Sequence, residues 1–171
     1  MQEKFPSDPR KRSAKYGSET WEEVTKTEER AEKDLDFLEG VLKSVNFELK
    51  EDSKVLDVGS GKGLFMEAAK KRGMNIVGVD ARPRGPGTEP QVAARIEQLP
   101  FADATFDLAL STGIFDKDVY LQDQKTMLEE IARVLKPGGI YIGSGAGREA
   151  GPPKGFRKLI PGGAFWVYKK T

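Results

Sequence analysis

One aspartate followed by glycines at alternate positions is the part of this sequence best suited to chemistry. The stretch VLDVGSGKG runs from Val55 to Gly63, and it places Asp57 within a hydrophobic run with Gly59 and Gly61 behind it. Glycines let a backbone turn sharply and approach a ligand closely. A carboxylate accepts hydrogen bonds from ammonium and hydroxyl groups. The segment therefore predicts a ligand-binding loop.

The spacing of these glycines excludes one common kind of loop and disfavours another. A P-loop has four residues between its first glycine and a Gly-Lys pair, which Ser or Thr follows. The pair Gly61-Lys62 meets neither condition. A dinucleotide loop has the pattern GxGxxG, and counting from Gly59 puts Leu64 where the third glycine belongs. ATP binding through a P-loop is excluded, and an NAD-dependent oxidoreductase is disfavoured.

Composition removes further classes of site. The 171 residues include neither cysteine nor histidine, and 28 basic residues nearly balance 27 acidic ones. Thiolate nucleophiles, Ser-His-Asp triads and Cys or His zinc sites are therefore excluded, and we expect no metal. The balanced charge predicts no overall attraction to nucleic acid or anionic lipid. No apolar run has the length of a membrane span or a secretory signal. We predict a cytoplasmic protein without membrane contact.

The hydrophobic pattern predicts one domain over residues 21–171, preceded by a basic, disordered tail over residues 1–20. From Thr25 to Val45 apolar residues recur at spacings of three and four, which indicates a helix with one buried face. That face consists of Leu35, Leu38, Leu42 and Val45.

Short hydrophobic strands and helical segments alternate along the rest of the chain. The predicted strands are KVLDVG, NIVGVD, FDLALST and IYIGSG; the predicted helices are LFMEAAKKRG, closed by Gly73, and DQKTMLEEIARVL, ended by KPGG. FRKLI and AFWVYKK, joined by PGG, predict an antiparallel hairpin. The fold class that follows is α/β: a three-layer αβα, Rossmann-like, mostly parallel sheet with an antiparallel C-terminal edge hairpin.

One connection in this pattern is unusually short. Only the ten residues ARPRGPGTEP separate NIVGVD from QVAARI, whereas parallel neighbours usually need a crossover of a dozen residues or more. We therefore predict that a loop replaces one crossover helix and that QVAARI is a strand. A short helix and a merely extended segment are the two other interpretations of QVAARI.

Four features in order resemble the class I S-adenosylmethionine-dependent methyltransferases. VLDVGSGKG is similar to the family's first motif, and VGVD ends in Asp80, as the family's second strand ends in an acid. LPFADATFDLALS resembles the segment that leads into and forms the fourth strand, and MLEEIARVLKPGGIYIGS the helix, turn and fifth strand after it. The likeness extends from about Lys54 to Ser144. It implies a compact methyltransferase that uses S-adenosylmethionine.

The resemblance also implies which residues contact this cofactor. Asp57 would lie near the methionine ammonium, and Asp80 would accept both ribose hydroxyls. Ala81 and Arg82 would flank the adenine, and Lys62 is either a carboxylate contact or an exposed lysine. The implied cofactor set is Asp57, Gly59, Ser60, Gly61, Gly63, Asp80, Ala81, Arg82, Ile96, Ser111 and Thr112.

The adenine end departs from the family pattern. The family often has an aspartate a few positions before LPF, where ARIEQLPF has Arg95 followed by Ile96. A guanidinium cannot accept a hydrogen bond from the adenine amino group, although it can stack on the ring. The backbone contact of Ile96 is retained. Together with the missing helix, Arg95 predicts a looser adenine pocket and weak cofactor affinity.

The catalytic residues stay unassigned at this level. By resemblance, STGIFDKD after the fourth strand faces the methyl group: Ser111 and Thr112 would contact the methionine end or the acceptor, and Phe115 would wall the pocket. Asp116 and Asp118 are the weak candidates for a general base, and a helix cap or an exposed loop acid is the competing interpretation of each.

The methyl acceptor is equally open, as a small molecule or a macromolecule. The sequence lacks the Asn-Pro-Pro-Tyr and Asp-Pro-Pro-Tyr signatures of nucleobase amino methylation. Little of the chain is left to cover an acceptor, so a large acceptor, a homodimer or other partner subunit that completes the site, or the tail over residues 1–20 would have to do so. The alternative function is a non-catalytic S-adenosylmethionine-binding accessory or sensor module.

Overall fold

The computed structural model describes residues 28–83, 90–112, 114, 124–144, 151–160 and 165–171. Helices and strands alternate through this part of the chain. In chain order they are α1 (Glu28–Ser44), β1 (Lys54–Val58), α2 (Leu64–Lys71), β2 (Asn75–Asp80), β3 (Gln91–Ala93), β4 (Phe106–Thr112), α3 (Gln124–Val134), β5 (Leu135–Ser144), β6 (Phe156–Ile160) and β7 (Phe165–Lys170).

The strands form one sheet in the order β3-β2-β1-β4-β5-β7-β6. The first five strands in this order are parallel, and β7 is antiparallel to both β5 and β6. The predicted mostly parallel sheet with an antiparallel C-terminal hairpin is therefore confirmed. Strand order reverses between β1 and β4, and open α/β sheets bind ligands in the crevice at such a reversal.

Helices cover both faces of the sheet. On one face α1 and α2 pack against residues such as Val55 and Leu108; on the other α3 packs against residues such as Leu56 and Ala109. Strands buried on both faces read as continuous hydrophobic runs, which explains why the strand predictions hold. The predicted buried face of α1 is confirmed at Leu35, Leu38 and Leu42, and Val45 is half-buried.

Gly73 closes helix α2 as predicted, two residues after the last helical residue, Lys71. The Gly73 N–H donates to the Lys70 carbonyl at 2.8 Å, and the Met74 N–H donates to the Ala69 carbonyl at 3.0 Å. This pair of hydrogen bonds is a Schellman motif, which satisfies carbonyls at the end of the helix. The chain can then enter β2 directly.

The KPGG segment corrects the sequence prediction. It was expected to form a turn between a helix and a strand, but β5 begins at Leu135 immediately after α3. Leu135 pairs with Phe106 and Ile140 with Leu108, so the residues between them form a bulge within the strand. The Lys136 ammonium donates to the Asp107 carboxylate at 2.8 Å, opposite this bulge. Pairing with β4 therefore overrides the local preference of Pro and Gly for a turn.

The strand interpretation of QVAARI is confirmed for three residues, because Gln91–Ala93 form β3 in parallel with β2. The proposed loop before it falls mostly on residues 84–89, outside the described ranges, as do the tail over residues 1–20 and the hairpin turn at residues 161–163. The boundary at residues 20 and 21 stays a prediction. Among the residues that the structure describes, no helix is both long and apolar enough to cross a membrane.

Candidate functional site

The glycine loop connects β1 to α2 and is tied to the end of β2. The backbone N–H groups of Gly59 and Ser60 both donate to the Val79 carbonyl, at 2.7 and 3.1 Å. The Gly63 N–H donates to the Ser60 carbonyl at 2.9 Å, and α2 begins at the next residue. The loop therefore lies at the carboxyl ends of β1 and β2, where the fold predicts a ligand crevice.

At two positions of the loop, a residue other than glycine would be strained. Gly59 and Gly63 have φ values of +80° and +78°, a region that side chains with a Cβ rarely adopt. A Cβ on Gly59 would collide with Ile114, and a Cβ on Gly63 would lie 2.9 Å from the Gln91 Nε2 atom. Both conformation and space require glycine at these positions.

Asp80 ends β2 with its carboxylate turned to the loop. Its Oδ2 atom accepts the Gly61 N–H at 2.9 Å, and its Oδ1 atom accepts the Arg82 N–H at 2.7 Å. Two backbone donors thus set the orientation of this half-buried carboxylate. Each carboxylate oxygen has two lone pairs, so each can accept one further hydrogen bond from a ligand hydroxyl.

Asp57 occupies a different environment from Asp80. It is 3 % exposed within β1, between Gly78 of β2 and Leu110 of β4. Burial of a carboxylate is costly unless it interacts with a cation or with hydrogen-bond donors. By its chemistry a carboxylate in either position can accept hydrogen bonds from ammonium, N–H or hydroxyl groups.

The residues predicted for the adenine end lie in three settings. Ala81 and Arg82 are exposed directly after Asp80, whereas Ile96 is 8 % exposed and packs in the core on the α3 face. The Arg95 guanidinium forms a salt bridge with Glu97 at 2.8 Å on the surface. The structure brings Asp80, Ala81 and Arg82 together, while the ionic partner of Arg95 is Glu97, two positions further along the chain.

Ser111 and Thr112 end β4 but differ in accessibility. Thr112 is exposed, whereas Ser111 is 0 % exposed and its hydroxyl forms a 2.7 Å hydrogen bond with the Tyr141 hydroxyl. Burial raises the pKa of Tyr141 above its ordinary value, although the Ser111 hydrogen bond opposes this. The Ser111 hydroxyl therefore belongs to the core. Phe115, Asp116 and Asp118 lie outside the described residues, and their roles stay predictions.

Sequence reasoning missed Gln91 and Gly78 as parts of this site. The Gln91 Nε2 atom donates to the Ser60 hydroxyl at 3.2 Å and to the Gly61 carbonyl at 3.1 Å. A Cβ on Gly78 would lie 2.6 Å from the Ser60 hydroxyl. A glycine inside a strand signals that another group approaches closely, and this signal at Gly78 was available in NIVGVD.

Comparison with known proteins gives a family. The family model described as "Methyltransferase domain" matches residues 56–143 of the 171. An uncharacterized methyltransferase of Mycobacterium sp. (strain JLS) is 38% identical over 95 residues, which are 52% of this chain and 36% of the relative. The chain thus spans about a third of the length of that curated relative.

Two solved structures share the fold. The PH0226 protein of Pyrococcus horikoshii OT3 has a TM-score of 0.67 at 18% identity, over 91% of this chain and 100% of the other. The chain that is paired with the Haloferax volcanii Trm112 methyltransferase activator has a TM-score of 0.50 at 26% identity, over 68% of this chain and 56% of the other.

The comparisons agree with the geometry of the site. The matched residues 56–143 begin within β1, end within β5 and include the glycine loop, Asp80 and all of β2, β3 and β4. S-adenosylmethionine, the predicted cofactor, is the cofactor of the family to which these motifs point. Because the family model covers half of the chain and the sheet has the predicted order and crevice, this chain belongs to the class I S-adenosylmethionine-dependent methyltransferases.

Proposed function

We propose that this chain binds S-adenosylmethionine and transfers its methyl group to an acceptor. The observation that carries the proposal is the Asp80 carboxylate, which two backbone N–H groups orient beside the glycine loop. A carboxylate held in this way accepts hydrogen bonds without first losing side-chain freedom. This preorganisation suits recognition of a vicinal diol.

The residues present fit the chemical groups of the cofactor. Asp80 retains one lone pair on each oxygen for the two ribose hydroxyls, and Asp57 offers a buried carboxylate for the methionine ammonium. The conformation of the loop lets its backbone pass against the methionine and ribose portion. Ala81 and Arg82 follow Asp80 on the exposed side, where they would flank the adenine. Ile96 would add its backbone N–H to the ring.

Methyl transfer in this site depends chiefly on position. S-adenosylmethionine supplies a methyl group on a sulfonium, which is already activated for displacement. The acceptor atom forms its bond to the methyl carbon as the carbon–sulfur bond breaks and sulfur takes the electron pair. Residues that hold the two partners in line supply much of the acceleration. A base is needed only where the acceptor must lose a proton, and Asp116 and Asp118 are the candidates.

Calorimetry with S-adenosylmethionine, S-adenosylhomocysteine and NAD tests the cofactor. We expect binding of the first two and none of NAD, because Leu64 stands where a dinucleotide loop needs its third glycine. Failure of both sulfur compounds to bind would refute the proposal.

A transfer assay then separates catalysis from binding alone. Labelled S-adenosylmethionine is incubated with the protein and with cell fractions divided into small molecules, nucleic acids and proteins. We expect label in one fraction, which identifies the acceptor class. Cofactor binding without transfer to any fraction would instead favour the accessory or sensor module.

A partner that completes the acceptor side is the second part of the proposal. The similar Haloferax volcanii chain is paired with a methyltransferase activator, and a subunit of that kind or a second copy would cover the exposed carboxyl edge near Thr112. Light scattering during gel filtration, with and without S-adenosylhomocysteine, should give a mass above the 18.9 kDa of one chain when the copy or a co-expressed partner is bound. Transfer by a chain that stays monomeric would contradict this part.

A further inference from the structure

Gln91 joins the edge strand of the sheet to the glycine loop. It begins β3 and pairs in register with Gly78 of β2. Its side-chain Nε2 atom donates to the Ser60 hydroxyl at 3.2 Å and to the Gly61 carbonyl at 3.1 Å. The two loop residues lie about 30 positions away in sequence, so only the sheet brings them together.

The Gly61 backbone is held at both its N–H and its carbonyl, which belong to successive peptide groups. Its N–H donates to the Asp80 carboxylate at 2.9 Å, and its carbonyl accepts from Gln91. A rotation of this residue that broke one bond would strain the other. The position of the Gly61 backbone therefore couples the Gln91 amide to the carboxylate that faces the ligand crevice.

Two glycines, which have no Cβ, leave the space that the Gln91 amide and its Ser60 partner occupy. A Cβ on Gly63 would lie 2.9 Å from Nε2, and a Cβ on Gly78 would lie 2.6 Å from the Ser60 hydroxyl that accepts from Gln91. The Met66 sulfur, 4.0 Å from Nε2, adjoins the same space. The Gln91 amide is therefore closely packed between the glycine loop and α2.

We propose that Gln91 is a positioning residue of the cofactor site: its amide holds Ser60 and Gly61 so that the loop and Asp80 are arranged before S-adenosylmethionine binds. The inference rests on the proposed function and deepens it. Without the amide donors, the loop has more conformations to lose on binding, and affinity falls by that amount. Gln91 acts through the loop and needs no contact with the methyl group.

Gln91→Met tests the inference because methionine has a similar volume and no N–H donor. Gln98→Met is the matched control, since Gln98 is exposed on the turn after β3. We expect Gln91→Met to bind S-adenosylhomocysteine about tenfold more weakly in calorimetry, which corresponds to about 1.4 kcal/mol, while Gln98→Met binds as the wild type does. Gln91→Glu keeps the shape but replaces donors with acceptors, so its loss should be at least as large.

Amide hydrogen exchange of the ligand-free protein gives a second readout. We expect Gln91→Met to speed exchange of the Gly61 and Gly63 amides about tenfold, with no change at Leu110 of β4. Wild-type exchange and wild-type affinity in this variant would overturn the inference and leave the proposed function intact. Faster exchange throughout the sheet, including Leu110, would also overturn it, because Gln91 would then be merely structural.

The two proposals fail in different ways. If the wild-type protein bound neither S-adenosylmethionine nor S-adenosylhomocysteine, the proposed function would fall. The exchange experiment would still decide whether Gln91 holds the loop, since it uses no ligand: faster exchange confined to Gly61 and Gly63 supports the positioning role, and unchanged exchange refutes it.

Discussion

A strand glycine leaves space for other groups in each half of the sheet, in β2 on one side of the strand reversal and in β5 on the other, but the groups that fill the two spaces differ. In β2, Gly78 leaves space that the Met66 sulfur of α2 and the Ser60 side chain of the glycine loop occupy. In β5, Gly143 leaves space for the Trp166 ring, and a Cβ there would lie 2.6 Å from the Tyr141 hydroxyl. The first glycine lets the glycine loop pack close to the sheet. The second lets aromatic rings close the core beside β4.

The polar groups differ accordingly. Around β1 and β2 the half-buried Asp80 carboxylate accepts one backbone N–H on each oxygen, and each oxygen has a second lone pair for a ligand. Around β4 and β5 the hydroxyls of Ser111 and Tyr141 bond to each other with 0 % and 1 % exposure. We infer that the first half serves binding and the second serves stability, which predicts that substitutions will separate the two properties.

The largest effects are expected from alanine at the two strand glycines. Gly143→Ala should lower the free energy of unfolding by up to about 3 kcal/mol through overpacking, with little effect on S-adenosylhomocysteine affinity in the folded fraction. Gly78→Ala should cost less stability, because the Met66 side chain that a Cβ would meet first is flexible and the loop at Ser60 can shift, but it should weaken binding more. Urea unfolding and calorimetry measure both. Equal effects of the two variants on both properties would break the comparison.

A somewhat smaller effect is expected at the ligand-facing carboxylate. Asp80→Ala should weaken S-adenosylhomocysteine binding by about 2 kcal/mol, because charge-assisted hydrogen bonds to the diol are lost. Asp52→Ala, an exposed acid just before β1, is the control and should bind normally. Affinity unchanged in Asp80→Ala would remove Asp80 from the site.

Tyr141→Phe tests the proposed stabilising role of the buried hydroxyl pair around β4 and β5. It should cost about 1 kcal/mol of stability, because the Ser111 hydroxyl loses its partner in the core, and it should leave cofactor affinity unchanged. Ser111→Ala and the double variant complete a thermodynamic cycle, in which a non-zero coupling energy is expected. A loss of cofactor affinity in Tyr141→Phe without a loss of stability would assign this pair to the binding site instead.

The smallest effect concerns acid stability at Glu130 of α3, which contacts the segment before β4. Glu130 accepts from the Arg133 guanidinium, which holds the pKa of Glu130 below its ordinary value, although burial opposes this and the Leu99 N–H supports it. A carboxyl with a lowered folded-state pKa stabilises the fold above its unfolded pKa, about 4.3 for Glu, and loses this as pH falls through the folded value. Because Glu130→Gln has no carboxyl to titrate, its free energy of unfolding should fall by roughly 0.5 kcal/mol less than that of the wild type below about pH 4.3. Thermal unfolding across pH measures this difference.

Cofactor affinity provides the control for that experiment. Glu130 contacts the segment before β4 and not the glycine loop, so Glu130→Gln should bind S-adenosylhomocysteine as the wild type does at pH 7. A variant as acid-sensitive as the wild-type protein would show that the Arg133 pair does not contribute to the pH dependence.

Most of the fold was predictable because its signals are local. FDLALST, NIVGVD and FRKLI coincide with β4, β2 and β6, since strands buried in a sheet need uninterrupted or alternating apolar residues between turn formers. KPGG follows the end of α3 as predicted, but the expected turn is part of β5 instead, because pairing across the sheet competes with local propensity. In β5 the pairing of Leu135 with Phe106 wins, and the glycines are taken up in a bulge.

The sequence by itself determined the kind of site. The glycine spacing in DVGSGKG and the acid that ends NIVGVD narrowed the class of ligand, because glycine conformation and carboxylate chemistry are properties of the residues themselves. Only the tertiary structure decided how the site is held together. The Gly61 backbone lies between Asp80 and Gln91, and the Ser111 hydroxyl is turned to Tyr141. These contacts join residues 19 to 31 positions apart, and the order of strands in a sheet, which no local pattern encodes, makes them neighbours.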